Sequence, residues 1–196
     1  MLKQEQTNNN MKNQLIIGIG YKKHSGKDTL AGLIAEEYGA HNCDILHFAD
    51  ALYREISDAT GVSVDQIKAD KHIFRPLLQW WGTEFRKKYQ CNERYWLDYL
   101  DREMSFNEKE VLLIPDVRFY TEVQFVRNLG GKLLRVFREG SLTNDTHPSE
   151  TELDNYHGWD MLVSNNSSIE HLRHQAKGIV ATLIRPNLPV KEPSTT

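Results

Sequence analysis

The chain has 196 residues, enough for one sizeable core and short for two domains. With 39% hydrophobic and 26% charged residues and a net charge of −3, it reads as an ordinary globular protein with no overall attraction for a polyanion, so binding to duplex nucleic acid has no support from charge. Cys43 and Cys91 stand alone, no apolar run approaches the ~20 residues of a membrane span, and the opening MLKQEQTNNNMKNQ lacks the apolar centre of a signal peptide; a cytosolic protein with reduced thiols is expected.

In chain order, residues 1–13 are polar and expected to be flexible. QLIIGIG is a short apolar run stopped by glycine, as in a strand buried on both faces. From Lys27, the apolar residues Leu30, Leu33, Ile34 and Tyr38 fall at helical spacing, with Gly39 as the stop. DILHFAD, EVLLIPDVR, KLLRVFR and DMLVSN read as four further strands. Helices are expected at about 50–60, 73–89, 93–104, 119–129 and 168–183, and a flexible tail at 185–196. Such alternation predicts an α/β fold: a five-stranded parallel sheet with helices on both faces, three layers in all. Ligands bind such sheets at the carboxyl ends of the strands.

The first of those ends carries GIGYKKHSGKDT. The usual phosphate-loop spacing puts a glycine five places before the Gly-Lys pair, but Tyr21 stands there and Gly20 comes one residue too early. The strand, turn and helix context still supports a phosphate site. Backbone N–H groups from Lys22 through Ser25 to Gly26, and the helix N-terminus, would face an anion, and Lys27 would reach the β- and γ-phosphates. Asp28 follows, so the hydroxyl of Thr29 comes one place later than in GK[ST] loops. The alternative is a polar turn opening a surface helix. Gly20 is expected to give the turn its freedom, with Tyr21 in an allowed conformation.

On the third strand, Asp116 and Arg118 are two apart and so share a face. Asp116 at the strand tip would hold magnesium through water, and Arg118 would meet a second phosphate or a base; a plain ion pair capping the next helix is the alternative. In FRPLLQWWGTEFRKKY, Pro76 suits a first helical turn, and Arg75 and Gln79 share one side, an arginine for a phosphate and an amide for a base edge. Trp80, Trp81 and Trp96 suit the core, Trp96 being the best candidate for stacking. Arg135 and Arg138 precede EGSLTNDTHPSETELDN, a stretch long enough for a lid over 139–155 or for a disordered surface loop.

Together SGKDT, RPLLQWWGTE, YWLDYLD, LLIPDVRFYTE, LGGKLLRVFR, NDTHPSETEL and LVSNNSSIEHL resemble the phage deoxynucleoside monophosphate kinases, a branch of the adenylate-kinase-like P-loop kinases. The resemblance runs from about residue 15 to 180. It implies a P-loop kinase domain over 14–184 with a helical monophosphate-binding part at about 50–104. It also implies transfer of the γ-phosphoryl group of ATP to a deoxynucleoside monophosphate, with Mg²⁺, for nucleotide supply in DNA synthesis. By position, Gly26, Lys27, Asp28 and Thr29 are similar to the ATP phosphate site and Asn165 to the loop near adenine. Lys23, Arg75, Gln79, Gly82, Thr83, Trp96, Asp116, Arg118 and Glu122 are similar to the acceptor side, and Arg138 to a lid arginine.

A phosphate monoester is already an anionic nucleophile, so the chemistry needs alignment and charge neutralisation rather than a strong base. A dephospho-coenzyme A kinase is a second reading, though the third strand lacks that family's Asp-x-Pro-Leu-Leu-x-Glu run. A non-catalytic ATP-binding switch module is a third. The expected partners are ATP and a monophosphate, with no duplex nucleic acid and no membrane; oligomeric state is left open, a homodimer included. A phage-encoded enzyme of this kind would work in the host cytoplasm.

Overall fold

The computed structural model of the chain describes residues 14–20, 22–90, 92–141 and 145–188. The expected flexible N-terminus, most of the C-terminal tail, Tyr21 and Cys91 lie outside the described residues. The chain divides into two compact units, residues 46–103 forming one and the rest forming the other.

The larger unit is built on five parallel strands in the order β2-β3-β1-β4-β5. They are β1 Leu15–Gly20, β2 Cys43–Ile45, β3 Val111–Val117, β4 Lys132–Phe137 and β5 Met161–Ser164. All six residues of β1 are buried, as a central parallel strand requires. Its odd positions Leu15, Ile17 and Ile19 pack with Leu30, Ile34, Leu172 and Ile179 from α1 (Lys27–Tyr38) and α8 (Ile169–Ile179). On the opposite face a side chain at Gly18 would meet Leu133, Val117 and Val126, the last from α6 (Tyr120–Asn128). The expected three layers are present.

Register along β1 and β3 shifts once: Gly18 faces Ile114, but Gly20 faces Val117. The extra residue lies in the Pro115-Asp116 stretch of β3. Proline has no N–H for the ladder, so a bulge there is the economical arrangement, and it re-aims the strand tip that bears Asp116.

β1 also corrects one expectation. Gly20 is an ordinary strand residue. Among the described residues of the following turn, His24 (φ 58°) and Gly26 (φ 96°) are left-handed. Gly20 is needed for space instead: a Cβ there would lie 2.4 Å from the Trp159 ring.

The smaller unit is helical: α2 Asp50–Thr60, α3 Val64–Ala69, α4 Lys71–Gln79, a π-helix Trp80–Tyr89, and α5 Tyr95–Ser105, whose last turn reaches into the larger unit's span. Ser63 caps α3 by accepting the Gln66 N–H at 3.2 Å, an N-cap signal that the sequence reading passed over. Tyr53, Ile56, Ile67 and Leu78 form this unit's core.

Three boundaries differ from expectation. The second strand ends at Ile45, and the HFAD stretch beyond it turns into α2. The helix expected from residue 73 starts at Lys71, so Pro76 sits inside α4 and removes one rung of its ladder. Beyond Gln79 the helix widens to i→i+5 bonding, as in the Gln90 N–H donated to Phe85 O at 3.0 Å.

The described part of the expected lid carries a short helix, α7 Pro148–Thr151, and a fully buried Leu153. Residues 185–188, at the start of the expected tail, continue the C-terminal helix as a tight turn, with Asn187 Nδ2 donating to Leu183 O at 2.8 Å. Among the described residues no helix is long and apolar enough to cross a membrane.

Candidate active site

Residues 22–26 curl between β1 and α1 at the carboxyl end of the sheet. Ser25 is fully buried, and its hydroxyl donates to Lys22 O at 3.0 Å. Gly26 caps α1 in a left-handed conformation closed to most side chains; a Cβ there would also lie 2.3 Å from Asn165 Nδ2. That amide donates to Ser25 O at 2.9 Å, so Asn165, expected near adenine, braces the back of the loop.

Lys27 is 4% exposed, and its Nζ donates to Lys22 O. Loss of water pushes its pKa down to about 7, and the Arg118 guanidinium pushes the same way; Asp28, Glu150 and Asp116 oppose both. The expected Gly-Lys pair, strand-tip Asp116 and Arg118 therefore share one electrostatic neighbourhood. Asp28 and Thr29 lie exposed on the first turn of α1, and Asp116 is half-buried.

Around the loop three cations meet carboxylates from one segment. Lys22 pairs with Asp154 at 2.7 Å, Lys23 with Asp145 at 2.9 Å, and Arg118 with Glu150. Desolvation lowers the Lys22 pKa, Glu150 pulls against it, and the like charge of Arg135 from β4 adds a smaller push downward. Arg118 thus finds its ion pair in Glu150, while α6 is capped by the buried Glu122, which accepts the N–H of Arg118 at 2.7 Å and of Phe119 at 3.1 Å. Glu122, expected on the acceptor side, shapes the turn that presents Arg118. Arg138 follows β4 as an exposed residue whose carbonyl accepts the Ser141 N–H at 3.1 Å; residues 142–144 of the expected lid lie outside the described residues. An open cleft of about 460 Å³, lined by His41, Asn42, Phe106 and Lys109 among others, lies at the opposite, amino end of the sheet.

A left-handed glycine at a helix N-terminus, a buried lysine and the basic groups around them make an arrangement of the kind that suits an anion. The model of the deoxynucleotide monophosphate kinase family matches residues 44–176. The chain belongs to that family. A protein of Acanthamoeba polyphaga mimivirus bearing the same family name is 31% identical over 184 residues, covering 82% of this chain and 93% of its own. The deoxynucleotide monophosphate kinase of Enterobacteria phage T4 is 32% identical over 120 residues, covering 58% of this chain and 48% of its own length. Residues 22–29 of this kinase precede the stretch that the family model matches.

The helical unit of the kinase holds the other expected residues. Arg75 and Gln79 lie one turn apart on α4, both partly buried. Gln79 Nε2 is shielded from solvent and has no hydrogen-bond partner among the described residues. Gly82 and Thr83 are buried in the π-helix. Trp96, read with Trp80 and Trp81 as suiting the core and as the best stacking candidate of the three, is 5% exposed and donates its indole N–H to Gly82 O at 2.9 Å. Its ring meets Tyr95 edge-on, which makes it a core residue of this unit; half-exposed Trp80, stacked on Phe85, is the more open ring.

The sequence names the backbone of Lys22 for the site but not its side-chain pairing, and it singles out none of Asp145, Glu150 and Asp154. Lys22 stood in the quoted loop, and Glu150 in the quoted NDTHPSETEL. The available signal was an acidic segment downstream of a basic loop, but nothing local marks which carboxylate turns inward.

Proposed function

We propose that this kinase transfers the γ-phosphoryl group of ATP to a deoxynucleoside 5′-monophosphate. The observation that carries this reading is the Lys27 amine, buried at the start of α1 beside the left-handed Gly26 and within the influence of Arg118 and Asp116. N–H groups of the loop and the end of α1 would cradle the ATP phosphates, with Lys27 at the β- and γ-oxygens. Arg118 and Lys23 would face the acceptor phosphate. In the helical unit, Arg75 and the unpartnered amide of Gln79 would take the monophosphate's polar groups. The acceptor's phosphate oxygen needs no proton removed before it attacks, so the protein's work is alignment and charge neutralisation.

Asp116 and Thr29 offer hard oxygen donors, too few to hold an ion alone and suited to magnesium that keeps its waters and rides on substrate phosphates. Bound magnesium would neutralise charge on the phosphate oxygens, with Asp116 orienting its waters. A cytoplasmic setting fits this reading.

ADP release is the decisive measurement, run with deoxynucleoside monophosphates, ribonucleoside monophosphates and dephospho-coenzyme A as acceptors. Deoxynucleotide-dependent release is expected. Release with dephospho-coenzyme A alone, or ATP binding without any transfer, would overturn the proposal.

A further inference from the structure

We propose that Glu150 is a positioning residue of the phosphoryl-transfer site, holding the Arg118 guanidinium and the phosphate-loop backbone at Lys23 in one arrangement. The inference rests on the function proposed above and concerns a residue outside the phosphate loop and outside the stretch that ends β3.

Glu150 is a carboxylate with 1% exposure, and each oxygen has its own task. Oε1 accepts from Arg118 Nη1, and Oε2 accepts the Lys23 backbone N–H at 2.9 Å. The backbone beside it adds to the clamp. Ser149 O accepts Arg118 Nη1 at 3.1 Å, and Glu150 O accepts Lys22 Nζ at 2.5 Å. One residue therefore ties the tip of β3 to the phosphate loop after β1, the two strand ends between which phosphates would sit.

The support beneath Glu150 is a run of local hydrogen bonds ending at a buried side chain. Its N–H donates to His147 O at 2.8 Å, His147 N–H donates to Asp145 Oδ1 at 3.1 Å, and Pro148 fixes the first turn of α7. Leu153, one turn on, is fully buried. A buried ion pair is weak support for stability, because an apolar pair of the same size often does as well. Its value lies in direction: both hydrogen bonds of the Arg118 side chain fall on Nη1, and the side chain keeps about a fifth of its surface (21%) exposed.

The test measures kcat and KM of wild type, Glu150→Gln, Glu150→Asp, Arg118→Ala and the Glu150→Gln/Arg118→Ala double variant, with ATP and a deoxynucleoside monophosphate. Loss of positioning is expected to lower kcat of Glu150→Gln by roughly 100-fold, with KM for ATP within about threefold of wild type. Glu150→Asp keeps the charge with a shorter reach and should recover about tenfold of that loss, which also covers the case in which the glutamine variant does not fold. In the Arg118→Ala background, Glu150→Gln should cost less than about threefold more, because the residue it aims is gone. Wild-type kcat in either folded Glu150 variant, or fully additive losses, overturns the proposal. So does a lower KM or faster turnover in Glu150→Gln, which would make the carboxylate an occluding plug. Wild type without deoxynucleotide-dependent turnover would instead sink the function on which the inference rests.

Discussion

Burial of the Lys27 amine links its protonation to ligand binding. Its folded pKa of about 7 lies below the ordinary 10.5, chiefly because water is excluded. The unfolded chain therefore holds more protons than the folded one between those two values. This group's contribution to stability rises with pH across that window and is least favourable below it. A bound phosphate restores the charged form, so ATP binding at pH 8 should take up as much as one proton, and almost none below about pH 6. Calorimetry in two buffers of different ionisation enthalpy reads this directly, and equal apparent heats at pH 8 would contradict it. Lys27→Met removes the cost of burying the amine: the unfolding midpoint should stay level or rise by a few degrees, while turnover falls by about 10³ or more. Unchanged turnover would remove Lys27 from the mechanism. Lys27 was legible because a Gly-Lys pair between an apolar run and a helical pattern has a local physical meaning. Glu150 was not, because a single glutamate in a polar stretch looks solvated until the chain returns to Lys23, 127 positions earlier.

The segment 145–160 acts as a strap across the larger unit. Glu150 grips Arg118, Glu152 accepts the Tyr120 N–H at 2.8 Å, Asp154 pairs with Lys22, and Asp160 pairs with Arg127 at 2.7 Å. Trp159 lies against Gly20 at the end of β1, where the missing side chain makes room for the ring. Gly20→Ala should therefore cost about 1–3 kcal/mol by overpacking, and Trp159→Leu in the same chain should recover part of it. Denaturant midpoints of the four chains give the coupling; strict additivity would show that the ring and residue 20 do not meet. β1, β3, β4 and β5 are apolar runs whose identity is set by neighbours in the chain, and they fall within a residue or two of expectation. The π-helix after Gln79 and the inward turn of the strap depend on partners far away in sequence, which periodicity does not encode.

Across the whole molecule, the residues proposed for ATP and those proposed for the monophosphate base fall in different compact units, residues 46–103 carrying Arg75 and Gln79. The helical unit has its own polar hub. Glu55 accepts from Trp81 Nε1 at 2.8 Å and from Arg86 Nε at 2.9 Å, and it bonds the Tyr95 hydroxyl. These bonds join α2 to the π-helix and to α5 with the carboxylate side chain only 21% exposed. Truncation would leave three donors short of an acceptor, and the expected cost of Glu55→Ala is about 2–4 kcal/mol. If the two units divide the work, that loss should be local. Amide exchange should quicken over residues 46–103 while β1, β3 and β4 keep their protection, since local opening follows cooperative units. KM for the monophosphate should rise, because Gln79 adjoins the loosened π-helix, while ATP affinity at the Lys27 loop stays within about twofold, as for a site lying in a separate cooperative unit. Equal loss of protection in the sheet, or equal weakening of ATP and monophosphate, would mean that the chain behaves as a single cooperative body.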